Sequence, residues 1–186
     1  MPADAAAPPF HPLEVALAAG RRLVRDALWW EGRCTWMGWT NEVAGGQMRA
    51  AFRALGGNLY DGVAGIAVFL ARLHRATGDA AAGEHARGAL EQLAALDGAA
   101  YAGDGFYVGR AGAAWALVEA GTLLELPAAR ARGVRMLLRP PAATDNPDVL
   151  SGVAGRLLAD GVRLFVQGGA VLWADDSTRP AASSAA

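Results

Sequence analysis

The side chains of this sequence that could do chemistry are few. There is one cysteine, Cys34, and there are three histidines, His11, His74 and His85. Among the carboxylates, Asp61 and Asp148 stand closest to unusual backbone signals. A lone thiol cannot make an internal disulfide framework, and it fits a reducing cytoplasm. Cysteine and histidines are too scattered to assemble a four-ligand metal site, so no metal ligand is assigned. His74 and His85 are expected on outer or amphipathic helix surfaces and His11 in an N-terminal leader, all three as satisfied or solvated imidazoles. A glycosidase would need two facing carboxylates, and no convincing pair beyond Asp61 and Asp148 presents itself. Asp61, directly before Gly62, reads as the N-cap of a helix, and Asp148, after Pro147, as the start or cap of another.

The backbone signal beside those aspartates is a repeat. Leu59-Tyr60-Asp61-Gly62-Val63-Ala64-Gly65, Phe106-Tyr107-Val108-Gly109-Arg110-Ala111-Gly112 and Val149-Leu150-Ser151-Gly152-Val153-Ala154-Gly155 share one form. Each has two large residues, a variable one, then Gly-x-Ala-Gly. The first glycines lie 47 residues apart from Gly62 to Gly109 and 43 from Gly109 to Gly152. That period suits a helix-turn-helix unit. Glycine is a poor helix former, so two of them three apart in a first turn need a geometric reason. Residues i and i+3 share a face, and removing both side chains lets a neighbouring helix or loop press on the backbone.

The elements that position these turns follow from periodicity. An apolar helix is expected from the first turn to about Thr77, another from the second through Ala120 and beyond, and a third from Gly152 onward. Between them lie more charged helices, Asp79 to Leu96, capped by Asp79 and ended by Asp97-Gly98, and Pro127 to Leu138, stopped by Pro140-Pro141. Upstream, Leu13, Leu17, Val24 and Leu28 mark an amphipathic helix. Trp29 to Gly46 reads as an ordered connection, and a helix is expected over Gln47 to Leu55. Paired helices of this kind stack, apolar members inside and Arg/Glu-bearing members outside. Residues 1–12 are expected to be a disordered leader, 13–165 the helical segment and 166–186 an irregular tail.

Composition agrees. With 53% hydrophobic residues, 186 residues bury a core, and alanine favours helix over sheet. All 17 basic residues are arginine, the net charge is −1 and no basic block stands out, so a nucleic-acid footprint is not indicated. Tyr60, Tyr107 and the tryptophans from Trp29 to Trp39 read as packing groups, since no basic stripe interleaves them. The longest apolar run, Val63 to Ala71, is too short to cross a bilayer, and residues 1–12 lack the pattern of a secretory signal.

The segment Gly57 to Asp79 (GNLYDGVAGIAVFLARLHRATGD) resembles the first barrel motif of lanthionine synthetase C-like proteins. GFYVGRAGAAWALVEAG and DVLSGVAG are similar to the next two, and WWEGRCTWMGW, Trp29 to Trp39, to the entry region of actinobacterial-type members and of the cyclase domain of class II lanthipeptide synthetases. The resemblance covers about Leu13 to Gly155. It implies an α/α toroid of helical hairpins, of which this all-α chain would hold about three, and zinc that activates a peptide thiolate for addition to a dehydrated residue, closing a thioether ring. It implies that the family's cysteine and Cys-His zinc ligands and its catalytic histidine lie beyond the third motif, so no zinc ligand and no cofactor is placed in this chain. It gives Asp148 the place of the aspartate at the barrel mouth, where it would orient a catalytic partner or move a proton.

Two functions follow as expectations. The first is a lanthionine synthetase C-like cyclase segment, truncated and inactive alone, acting on a precursor peptide only with a complementing C-terminal barrel half. The second is a non-catalytic helical module that binds a peptide or a subunit. Neither involves nucleic acid or a membrane.

Overall fold

Alanine-rich segments separated by glycine and proline give the chain most of its helices. The computed structural model describes residues 11–44, 46–96, 101, 103–140, 146–155 and 157. Helix α1 spans Pro12–Asp26, starting on a proline whose missing N–H has no helical partner to lose. Helix α2 spans Val63–Thr77 and ends on Gly78, whose φ of 72° lets its N–H reach back to the His74 carbonyl. Helix α3, Ala80–Ala95, is N-capped by Asp79, whose carboxylate accepts from the Ala82 N–H. Helix α4 spans Arg110–Leu123 and α5 Pro127–Leu138, which stops ahead of Pro140 as expected. Residues 153–155 begin a further helical turn.

Between α1 and α2 the expectation of an all-α chain is corrected. Strands β1 (Leu28–Trp30) and β2 (Arg33–Thr35) form one antiparallel hairpin, and β3 (Met37–Ala44) and β4 (Gln47–Ala54) form a second. The helix expected over Gln47 to Leu55 is β4, and the ordered connection is β1, β2 and β3. The reason is legible afterwards. Met48, Ala50 and Phe52 alternate with Arg49, Ala51 and Arg53, a period of two that the two alanines disguise. Trp39 pairs with Phe52, and Glu31 and Gly32 make the tight turn of the first hairpin with φ of 47° and 75°.

The core lies between the glycine-opened helices. On α2, Val63, Ala64, Ala67, Leu70 and Ala71 are fully buried, and on α4, Ala111, Ala113, Ala114, Leu117 and Ala120. These two pack on each other, α3 covers α2 and α5 covers α4. The small side chains of α4 bring its neighbours close, while Leu70, Leu90, Leu93 and Leu117 supply roughly 1.5–3 kcal/mol each on burial. Trp36, also buried, donates its indole N–H to the Leu23 carbonyl at 2.7 Å and so ties the hairpins to α1.

Residues 1–10 of the expected leader and all of the expected tail lie outside the described residues, as does Asp97-Gly98. No helix among the described residues is long and apolar enough to cross a membrane.

Candidate functional site

Three glycine turns stand in a row at one end of the helices, and all are built alike. The first helical N–H of each, on Val63, Arg110 and Val153, donates to a carbonyl seven residues earlier, on Gly56 (2.8 Å), Gly103 (2.8 Å) and Asn146 (2.9 Å). Each loop is thereby folded back over the start of the helix it introduces. A Cβ on Gly62 would collide with the Gly56 carbonyl, one on Gly152 with that of Asn146, and ones on Gly65, Gly112 and Gly155 with those of Leu59, Phe106 and Val149. Gly109 combines close approach with a φ of 148° that side chains disfavour. The expected reason for the glycine pairs, close approach, is therefore right in kind. The main partner is the turn's own loop and not a neighbouring helix.

The turns are also joined to one another through the backbone. The Tyr60 N–H donates to the Tyr107 carbonyl at 3.0 Å, and the Tyr107 N–H to the Leu150 carbonyl at 3.1 Å. Tyr60, Tyr107 and Leu150 hold the same position, two before the first glycine. A second glycine also meets the turn before it. A Cβ on Gly112 would lie 3.0 Å from the Leu59 Cβ, and one on Gly155 2.9 Å from the Phe106 nitrogen.

Asp148 belongs to the third turn, four residues before Gly152, where the first turn has Asn58 and the second Gly105. One of its carboxylate oxygens accepts from the Ser151 N–H (2.9 Å), the other from the Ser151 hydroxyl (2.8 Å) and the Asn146 amide (2.9 Å). The Ser151 backbone N–H, then the Ser151 hydroxyl and Asn146, hold this carboxyl down at about 2. It is an exposed, fixed anion that closes its own turn. Asp61 is not the cap expected of it. Gly62 holds that place, and Asp61 accepts from the Asn58 amide at 3.0 Å. The folded-back Gly56 carbonyl has already taken the Val63 N–H. Asp61 belongs to the first turn of the row and Asp148 to the third, with the second turn between them.

The thiol and imidazoles lie elsewhere. Cys34, on β2, is buried against α3 and donates to the His85 carbonyl at 3.2 Å. Burial pushes this thiol up to about 12. His85 is not on an outer surface as expected but buried. One ring nitrogen meets the Ala81 carbonyl at 2.8 Å and the other accepts from the Trp29 indole at 3.3 Å. His74 contacts the Asp79 carbonyl at 2.8 Å, and His11 is the exposed N-cap residue of α1. Zinc of the thiolate kind does not fit this donor set. The chain has one thiol, held protonated in a packed interior, and no three His, Cys, Asp or Glu side chains among the described residues converge.

Sequence reasoning missed the charge at the centre of the second turn. Arg110 stands where the other turns have Val63 and Val153. Its guanidinium is buried, paired with Asp104, and donates to the carbonyls of Met136, Arg139 and Pro140. It locks the second turn onto the end of α5. The signal was present as a charged residue in an otherwise apolar position of the repeat. Of the aromatic residues read as packing groups, Trp36 is buried and Trp29, though 42% exposed, stands edge-on to the His85 ring at 5.0 Å, whereas Trp30, Trp39 and Tyr60 are exposed.

A family model described as lanthionine synthetase C-like protein matches residues 53–159, more than half of the chain, and takes in all three turns. A comparison with curated proteins finds no match.

Proposed function

The chain belongs to the lanthionine synthetase C-like family, and we propose that it contributes the first three hairpin repeats of a peptide-cyclising α/α toroid. The observation that carries this reading is the row of three equivalent turns, joined by the Tyr60, Tyr107 and Leu150 main-chain bonds. A row built by one repeated step curves into a larger ring when further copies of the step are added. The family reaction, zinc-dependent addition of a peptide thiolate to a dehydrated residue, then draws its metal ligands and catalytic histidine from outside these 186 residues. In this reading the chain alone is inactive, and a complementing barrel half and a precursor peptide are its partners. The likeness of Trp29 to Trp39 to actinobacterial and class II members, and a cytoplasmic setting suited to a free Cys34, belong to the same proposal.

The role of Asp148 within it is limited by its bonds. A carboxyl held at about 2 carries no proton near neutrality, so it is no general acid. It acts as a fixed acceptor at the mouth, able to orient a peptide N–H or a catalytic partner. The same bonds favour the second reading, a peptide- or subunit-binding module, because the carboxylate is already engaged three times within its own turn.

The test is peptide cyclisation followed by mass spectrometry with thiol alkylation. The chain alone, given zinc and a dehydrated cysteine-containing peptide, is expected to hold no stoichiometric zinc and to close no ring. Adding a barrel half with the Cys and Cys-His motifs is expected to start ring closure, and Asp148→Ala then to slow it by about 100-fold through lost positioning. Ring closure by the chain alone would overturn the need for a partner. Peptide binding without ring closure in the reconstituted pair would leave the module.

A further inference from the structure

We propose that the end of α2 and α4 opposite the glycine turns binds a small zwitterion of the α-amino acid class, its carboxylate on Arg75 and Arg87 and its ammonium group on Glu125. The proposal is independent of the cyclisation reading, which draws on the other end of these helices.

The site is a cavity of about 330 Å³ where α2 and α4 end beside α3. Arg75 comes from the last turn of α2, Arg87 from α3 and Glu125 from the turn between α4 and α5, while Leu123 and Leu124 supply an apolar wall. Each of these residues lies in continuously described chain, 46–96 or 103–140.

The three charges are uncommitted. Among the described residues, Arg75, Arg87 and Glu125 form no ion pair and no side-chain hydrogen bond. The carbonyls at the helix ends do not hold the guanidiniums either, because the local turns use them. The Leu73 carbonyl accepts from the Thr77 hydroxyl and the His74 carbonyl from the Gly78 N–H. Those of Ala120, Thr122 and Gly121 accept from the N–H groups of Leu124, Glu125 and Leu126.

Two backbone features shape the lining. Helix α2 is followed by Gly78 in the left-handed region, but after α4 it is Glu125 that holds a φ of 57°. Glycine adopts that conformation freely and glutamate only under strain, and strain of this kind gathers at binding sites. On α3, Gly83 makes room for the His74 ring, since a Cβ there would lie 2.8 Å from its Nδ1. The ring also meets the Asp79 carbonyl at 2.8 Å. A carbonyl can only accept, so Nδ1 carries the proton and the neutral ring keeps Nε2 as an acceptor.

This layout selects the ligand. A simple anion would suit the two guanidiniums but would face Glu125 and the negative ends of two helix dipoles. A simple cation would face Arg75 and Arg87. A zwitterion answers both: the guanidiniums donate to its carboxylate, and its ammonium group donates to Glu125 and His74 near the helix C-termini. The leucine wall suits a short aliphatic side chain.

The experiment is calorimetric titration of the full chain, at constant ionic strength, with L-alanine, acetate, methylammonium and inorganic phosphate. L-alanine is expected to bind once per chain, at least about tenfold more tightly than any of the other three. Arg87→Gln and Glu125→Gln, both exposed, are each expected to weaken it by about tenfold or more, with circular dichroism verifying the fold. Glu125→Gly separates binding from structure: it is expected to raise the urea midpoint, by relieving the positive φ, and still to weaken binding. Absence of saturable alanine binding would overturn the proposal. Acetate or phosphate binding as tightly as alanine would replace it with a plain anion site. A Glu125→Gly chain that binds alanine as well as the parent would make Glu125 a structural oddity only. None of these results touches the cyclisation test, which reads ring closure in the presence of a different polypeptide.

Discussion

The helical repeats and the hairpins between α1 and α2 use glycine for opposite purposes. In the repeats, Gly112 is required by what lies next to it, since a Cβ there would collide with the Phe106 carbonyl of its own folded-back loop. In the second hairpin, Gly46 is required by its own φ of 77°, and a Cβ there would meet nothing within 4 Å. One region is held by backbone pressed on backbone in a dry core. The other is held by local turn conformation and stands largely in solvent. Stability is therefore concentrated in the repeats, and substitutions can be chosen to challenge that division.

The largest effect is expected from Gly112→Ala. The neighbouring atoms are main chain and cannot rotate away, so the turn must open or α4 must shift. The loss is expected to be on the order of 3 kcal/mol or more, enough to unfold a marginal domain. Gly46→Ala is expected to lose only about 1 kcal/mol, the cost of a left-handed conformation with a side chain, and Gly46→Asn to recover part of it. Urea unfolding of the three variants checks the comparison. Equal losses at Gly112 and Gly46 would show that the two regions do not differ as described.

Arg110→Met comes next. It takes the guanidinium away from the largely buried Asp104 side chain, and the carbonyls of Met136, Arg139 and Pro140 lose a donor. Breaking such a buried pair from one side costs about 3–5 kcal/mol, whereas removing both charges costs less. Arg110→Met with Asp104→Asn is therefore expected to be more stable than Arg110→Met alone. A double variant no better than the single one would mean that the other contacts of Asp104 hold its charge once Arg110 is gone.

At the seam between the two regions, Cys34 gives a pH dependence. Its thiol titrates near 9 when unfolded and at about 12 when folded, because burial penalises the thiolate. A raised folded value means a contribution that is whole below pH 9 and is lost as the pH rises from there toward 12. Tyr101, raised to about 12 chiefly by burial, acts in the same direction. Melting temperature is expected to fall across this window, and less steeply in Cys34→Ala. Disulfide reagents are expected to label Cys34 only when the chain unfolds. Rapid labelling of the native chain would place the thiol at the surface instead.

What was legible beforehand divides along the same line. The Gly-x-Ala-Gly spacing marked all three turns, and Asp79 and the prolines marked helix ends, because those signals act within a few residues. The hairpins were not legible because two alanines hid the alternation of β4, and strand pairing depends on a partner several residues away. Asp61 was misjudged for a related reason. Its capping role had been taken by the Gly56 carbonyl, a contact that no local pattern announces. His85 looked like an outer residue on a charged helix until Trp29 and Cys34, more than fifty residues earlier, were folded over it.

The smallest effect, and the sharpest test of how separate the hairpins are, is expected from Trp39. Its ring lies 5.4 Å from that of Phe52 across the strands, yet Trp39 is 74% exposed. Such a cross-strand aromatic pair contributes roughly 0.5–1 kcal/mol to the hairpin. A two-stranded sheet is at best marginally stable, so this contribution is spent on local opening and not on global unfolding. Trp39→Thr is expected to leave the urea midpoint within about 0.5 kcal/mol of the parent. It is expected to speed amide exchange in β3 and β4 several-fold while leaving α2 and α4 unchanged. The Trp36 indole, bonded to the Leu23 carbonyl, anchors the base of the hairpin to α1. Exchange should therefore quicken most toward the Gly46 end. If the midpoint fell by several kcal/mol instead, the exposed hairpin would be part of the same cooperative unit as the repeats, and the division between dry core and solvated hairpin would have to be abandoned.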